Sequence, residues 1–174
     1  MRNAAVLVFT LLFVLTGLAS KSEAWDWTNT SELSGAIYAH CLLEASDGYI
    51  YAGTGTSGDV FRSNNGGATW TNTSNLSGAN YAYSLLEASD GYIYAGTGIS
   101  GDVFRSNDGG TTWTNASNLS GASEVHSLLE ASDGYIYAGT YLNGDVFRSN
   151  NGGATWTNTS NLSGASNVLC LLEG

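Results

Sequence analysis

A 43-residue period constrains this chain more than any other feature. Trp27, Trp70, Trp113 and Trp156 stand 43 residues apart, and the text between them recurs almost letter for letter. The run L-L-E-A-S-D-G-Y-I-Y-A-G-T begins at Leu42, Leu85 and Leu128, and G-D-V-F-R-S-N begins at Gly58, Gly101 and Gly144. A unit this short cannot bury its own apolar face, so neighbouring copies must stack to make a shared core. A period in the forties, rich in glycine and aromatics, predicts one four-stranded antiparallel blade per repeat. The expected fold is all-β, a β-propeller-like array with repeats at 27–69, 70–112 and 113–155 and a partial fourth at 156–174.

Local chemistry places the strands. Ile37 to Leu43 reads as strand a. Asp47-Gly48 is a tight hairpin turn, because glycine takes positive φ freely and aspartate tolerates it. Tyr49-Ile50-Tyr51-Ala52 is strand b, aromatic and β-branched. Residues Thr54 to Gly58 form a loop, and Asp59 to Arg62 is strand c. Asn64 to Gly67 turns the chain again, and Thr69-Trp70-Thr71 opens strand d. Every copy repeats this order.

The c–d turn carries a family resemblance. Ser63-x-Asn65-x-Gly67-x-Thr69-Trp70 resembles the Asp box, or bacterial neuraminidase repeat. The further copies are Ser106-x-Asp108-x-Gly110-x-Thr112-Trp113 and Ser149-x-Asn151-x-Gly153-x-Thr155-Trp156. The side-chain oxygen of Asn or Asp suits the turn's N–H groups, glycine suits positive φ, and Trp suits packing. The resemblance implies a β-propeller of the kind found in sialidases, some endoglucanases and sortilin-type receptors. The box is a turn in all of them, so it leaves function open.

The strand inventory does not close a ring. Trp25 to Thr28 reads as a strand d without its own a, b and c, and Val168 to Leu172 as a strand a followed only by Glu173-Gly174. An open arc leaves sheet faces exposed. The expectation is a fragment of a longer propeller; the alternative is a short chain that closes by self-association.

Residues 1–24 read as a secretory signal peptide. Met1-Arg2-Asn3 is a basic start, Ala4 to Ala19 is apolar, and Ser22-Glu23-Ala24 offers small residues for cleavage. A secreted protein without a membrane segment after cleavage is expected, with 25–174 as the propeller segment. The full chain's balance of 5 Lys+Arg against 15 Asp+Glu argues against nucleic acid, which requires a basic surface. Two Cys and two His are too few for a zinc finger or an iron–sulfur cluster. No loop has the dense oxygen-ligand pattern of a dedicated calcium site, so neither metal nor cofactor is expected.

Divergence among the copies points to a surface. The repeats differ mostly at the start of strand a and in the b–c loop, at His40, Tyr83, Glu124, His126, Tyr141 and Asn143. In propellers these positions line the channel and one rim, whereas Asp-box turns lie on the other. An unidentified glycan or protein ligand is the expected partner of this rim; neutral drift at permissive positions is the alternative.

No catalytic residue is assigned. Sialidases use an arginine cluster, but Arg62, Arg105 and Arg148 occupy one repeat position that symmetry spreads apart. They are expected to balance Asp59, Asp102 and Asp145. Glycoside hydrolysis needs two neighbouring carboxylates in unlike environments. Glu44, Glu87, Glu130 and Glu173 are repeat-equivalent and poorly suited to that. Glu124 and His126, two apart on one strand face, break the symmetry. The competing functional reading is part of a sialidase-like or other glycoside hydrolase whose catalytic residues lie elsewhere.

Cys41 and Cys170 are repeat-equivalent too. A disulfide between them requires a small closed ring or a second molecule, and codon duplication explains them more simply.

Overall fold

The computed structural model describes residues 32–55 and 57–173. The expected signal peptide and the opening Trp25–Thr28 strand lie outside the described residues.

Each repeat folds around two local turns. In the first, Gly48 adopts φ +81°. Tyr49 N–H donates to Asp47 Oδ1 at 2.9 Å, and Ala45 N–H donates to the Tyr49 carbonyl at 2.9 Å. This joins strands β1 (Ala39–Glu44) and β2 (Ile50–Thr54). In the second turn, Ser63 Oγ accepts from Gly67 N–H at 2.9 Å. Asn65 Oδ1 accepts from Thr69 N–H at 2.9 Å, and Asn65 Nδ2 donates to Thr69 Oγ1 at 2.9 Å. This turn joins β3 (Asp59–Ser63) to β4 (Thr71–Asn75).

The second repeat contains β5 (Ala82–Glu87), β6 (Ile93–Thr97), β7 (Asp102–Ser106) and β8 (Thr114–Asn118). The third contains β9 (Glu124–Glu130), β10 (Ile136–Tyr141), β11 (Asp145–Ser149) and β12 (Thr157–Asn161). Each set forms one antiparallel sheet in chain order, giving three blades. Strand β5 packs against β1 on one side and β9 on the other, so the first strands are the innermost.

Three boundaries depart from the sequence reading. Strand a starts two residues later than expected, at Ala39, and runs to Glu44. Strand b runs on to Thr54, whose Oγ1 donates to the Asp59 carbonyl at 2.9 Å and closes the b–c loop. Strand d starts at Thr71, because Thr69 is still held in the turn by Asn65 and Trp70 follows directly. The expected strand at Val168–Leu172 does not form: a single bridge pairs the preceding Asn167 with Tyr141, and Val168 N–H donates to the Thr140 carbonyl at 2.9 Å. Among the described residues, no strand b lies beside it to complete the ladder.

The blades are joined by one seam, built twice. Gly53 lies against Ala82, where an added Cβ would stand 2.7 Å from the carbonyl oxygen. Gly96 meets Val125 in the same way, also at 2.7 Å. Behind these contacts sit two apolar clusters. One holds Tyr51, Val60 and Leu76 against Ile93, Ala95 and Phe104. The other holds Tyr94, Val103 and Leu119 against Ile136, Ala138 and Phe147.

Polar latches flank both clusters. Arg62 Nη1 donates to the Gly109 carbonyl at 2.8 Å, and Arg105 Nη1 to that of Gly152 at 2.8 Å. Arg62 also lies over the Tyr49 ring at 4.9 Å. The arginines therefore do not balance Asp59, Asp102 and Asp145 as expected: Arg62 and Arg105 reach into the next blade's c–d turn, and Arg148 lies over the Tyr135 ring at 4.8 Å. The repeated glutamates have a matching role. Glu87 accepts from Ser46 N–H at 2.7 Å, Glu130 from Ser89 N–H at 2.7 Å, and Glu173 from Ser132 N–H at 2.9 Å.

Cys41 and Cys170 are free thiols. Burial pushes the Cys41 thiol up to about 12, and its Sγ faces the Ala82 carbonyl at 3.8 Å.

Gly96→Ala should cost about 1–3 kcal/mol in urea unfolding, because the new methyl meets backbone that cannot yield. Asp108 is held below the usual carboxylate range, chiefly by the N–H and hydroxyl of Thr112. Its folded value lies below its unfolded one. Its contribution is therefore complete above about pH 4 and is lost as pH falls through the folded value. Asp108→Asn, which copies the turns at Asn65 and Asn151, should lose less stability between neutral and acid pH than the parent.

Candidate functional site

The divergent positions converge on the inner strands, at the rim formed by the b–c loops and the d–a connections. These two segments meet directly: Gly58 N–H donates to the Asn80 carbonyl at 2.9 Å, and Gly101 N–H to that of Ser123 at 3.0 Å. The c–d turns lie at the opposite rim with the a–b turns, since Gly109 sits beside Tyr51 Oη and Asp47.

Along the inner wall the side chains form a continuous strip. Tyr81 and Tyr83 stack at 5.2 Å between ring centroids and 7° between planes. Tyr83 stacks on His126 at 4.2 Å and 19°, and His126 on Tyr141 at 5.5 Å and 30°. His40 meets Tyr83 edge-on at 4.9 Å and Tyr81 at 5.7 Å. Tyr38 extends the strip beyond His40 at 6.0 Å. Glu124 Oε2 lies 2.6 Å from His126 Nε2.

The sequence dictates this placement. Positions two apart on a strand share a face, so His40, Tyr83 and His126 follow Tyr38, Tyr81 and Glu124 on the channel side. Glycine makes room for the rings. A Cβ at Gly98 would stand 2.8 Å from Tyr83 Cε2, and one at Gly55 would stand 2.9 Å from His40 Nε2. The third repeat has Tyr141 at the corresponding position, and its ring joins the stack instead.

The structure thus brings together His40, Tyr83, Glu124, His126 and Tyr141. Asn143 does not join them: its Nδ2 donates to the Gly121 carbonyl at 3.2 Å and ties the b–c loop to the preceding turn. The turn residues Ser63, Asn65, Gly67, Trp70 and their repeats sit away from the strip. Sequence reasoning missed Tyr38 and Tyr81, although both are repeat-equivalent to Glu124. It also missed Ile99. This exposed residue and its equivalent Leu142 adopt φ +65° and +84°. A β-branched residue in that region is strained, and strain held at a loop tip is a pointer to function.

Electrostatics follow from this packing. The His40 imidazole is held below its usual range, first by burial and second by the neighbouring His126. Burial raises the Tyr83 phenol, with Glu124 adding to the shift. Because the rings stack on one another, their faces are largely used up. A ligand meets ring edges, phenol hydroxyls, imidazole nitrogens and one carboxylate. Among the described residues, no three His, Cys, Asp or Glu side chains gather in a way that would hold a metal.

The histidine coupling can be read directly. By NMR titration His40 should titrate below an ordinary histidine, and His126→Gln should raise its pKa by removing a like charge. An unchanged His40 titration in that variant would contradict the arrangement.

Comparison with known proteins agrees with this architecture. No curated protein matches the sequence. The chain is similar in fold to an ancestral GH74 enzyme, at 20% identity and a TM-score of 0.63, over 83% of this chain and 22% of the enzyme. It is likewise similar to a chain of a nidogen/laminin complex, at 11% identity and a TM-score of 0.63, over 78% of this chain and 52% of the other. The chain thus spans about a fifth and about half of these two proteins. A family model described as the DUF6242 beta propeller domain matches residues 20–169, most of the sequence, and this chain belongs to that family.

Proposed function

We propose that this chain is a secreted, non-catalytic arc of an Asp-box β-propeller whose inner-rim strip binds a polyhydroxylated ligand, a glycan. One observation carries the reading. Repeats that are otherwise nearly identical diverge at positions that meet in one strip of rings, hydroxyls and a carboxylate. Such an edge-on array of donors and acceptors suits hydroxyl groups better than an apolar or strongly charged ligand. Glu124 is the one carboxylate within the strip, whereas glycoside hydrolysis requires two at a defined spacing. Export rests on the sequence of Met1 to Ala24.

A second reading has its own support. Glu124 and His126 at 2.6 Å break the repeat symmetry, and one structural neighbour is an ancestral GH74 enzyme. On this reading the arc is part of a glycoside hydrolase whose acid and base lie on other blades. Glycan-array binding without turnover supports the first reading; hydrolysis of a fluorogenic glycoside by this chain supports the second. The double substitution Glu124→Ala with Tyr141→Ala should lower glycan affinity at least about tenfold, a loss of roughly 1.4 kcal/mol. Unchanged affinity would remove the strip from the binding site.

A further inference from the structure

Sixteen glycines adopt positive φ, but only three other described residues do: Ile99 at +65°, Ser100 at +78° and Leu142 at +84°. All three lie at the tips of b–c loops, and Ile99 and Leu142 are repeat-equivalent. Side chains are strained in this region, β-branched ones most of all. Glycine would relieve the strain, and the chain uses it at every other such position among the described residues. Burial does not compensate, because Ile99 is 48% exposed and Leu142 60%. Ile99 belongs to the middle blade, with a blade on either side, so its exposure is a property of the tip itself.

The surroundings hold these tips in place. Gly101 N–H donates to the Ser123 carbonyl at 3.0 Å, and Leu119 N–H to the Gly101 carbonyl at 3.0 Å. Asn118 Nδ2 donates to the Ser100 carbonyl. In the third repeat, Leu142 N–H donates to Asn167 Oδ1 at 3.2 Å and Asn143 Nδ2 to the Gly121 carbonyl at 3.2 Å. The backbone is thus over-determined, and what it presents to solvent is an aliphatic side chain. An arrangement that costs stability and buries nothing is explained by contact with a ligand.

Both tips border the ring strip. Gly98, which precedes Ile99, forms a bridge with Glu124, and Tyr141, which precedes Leu142, stacks on His126. Glu124 uses Oε2 on His126, and among the described residues Oε1 has no partner. The ring faces are spent on one another, so the apolar part of a ligand must find another surface. Aliphatic tips beside a carboxylate and phenol hydroxyls suit a small apolar group carried on a polar one. An acetyl group has that form: a methyl next to a carbonyl that accepts from a phenol. An N-acetyl group adds an N–H for Glu124 Oε1 to accept.

We propose that Ile99 and Leu142 select acetylated glycans, taking the acetyl methyl while the strip binds the polar groups around it. The inference rests on the glycan-binding reading of the strip and narrows it to a substrate class.

Calorimetry on the full chain tests it with two pairs of oligosaccharides. Chito- and cello-oligosaccharides of equal length differ by an acetamido group in place of a hydroxyl. Acetylated and deacetylated xylo-oligosaccharides differ by the acetyl ester. The acetylated member of at least one pair should bind about tenfold more tightly. Preference in the first pair identifies an N-acetyl ligand, and preference in the second an O-acetyl one. Ile99→Asn with Leu142→Asn removes the aliphatic groups, and asparagine tolerates left-handed φ. This variant should keep the parent's urea midpoint or exceed it, yet bind both members of the pair alike. Equal affinity within both pairs, a preference that survives the double substitution, or binding of none of the four probes would overturn the proposal. A lowered midpoint with unchanged preference would do so too, by making the tips structural. Glycan binding that loses affinity in Glu124→Ala with Tyr141→Ala but shows no acetyl preference keeps the strip as the binding site and removes only this inference. Binding indifferent to that strip variant removes the strip reading itself.

Discussion

The close approach of one blade's second strand to the next blade's first is the constraint from which the rest of the structure follows. Gly53, Gly96 and Gly139 each face the backbone of the following copy at a distance no side chain tolerates. That spacing lets Tyr51 and Tyr94 fill the seam completely and brings Arg62 and Arg105 within reach of the neighbouring turn. A methyl group in place of the glycine hydrogen would push the blades apart and strand both the ring and the guanidinium. The near-identity of the repeats is intelligible in these terms. The middle blade takes part in both seams, giving Ile93, Ala95 and Phe104 to one and Tyr94, Val103 and Leu119 to the other, so a change in that copy is felt on one side or the other.

How much of this was legible in the sequence depends on the range of each interaction. The turns were legible because their chemistry is local: Asp47 binds an N–H two residues on, and Asn65 binds one four residues on. The blades followed from the period. The seam was not legible, because Arg62 and Gly109 are 47 residues apart and only the relative rotation of two blades brings them together. Asp59 was the nearer partner in sequence, but strand pairing sets it opposite Asn75 and leaves the arginine facing outward to the next blade. The shortened first strand has a similar cause. Residues 37 and 38 lie beyond the first ladder pair, Ala39 with Thr54, and belong to the rim.

At the candidate site, repeat divergence located the strip but not its form. His40, Tyr83, Glu124, His126 and Tyr141 were visible as departures from symmetry. Their stacking was not, because it depends on Gly55 and Gly98, which look like ordinary loop glycines until the rings are seen against them. Asn143 was visible on the same grounds, yet its side chain braces the loop. Divergence marks where a scaffold permits change; contact decides which of the changed residues share a surface.

The separation of the two rims explains why change is permitted where it is. At the rim of the c–d turns, Arg62 and the Ser46–Glu87 latch tie the first blade to the second, while the Tyr51 hydroxyl donates to Asp47 of its own blade and stands beside Gly109 of the next. At the other rim neighbouring blades meet through backbone contacts, such as the bridge between Gly98 and Glu124 and the hydrogen bond from Gly58 N–H to the Asn80 carbonyl. Assembly is therefore specified at one end of the blade and recognition is left free at the other. A residue such as Tyr141 can replace glycine without disturbing the seam, because its ring projects along the channel wall onto His126 and not between the sheets.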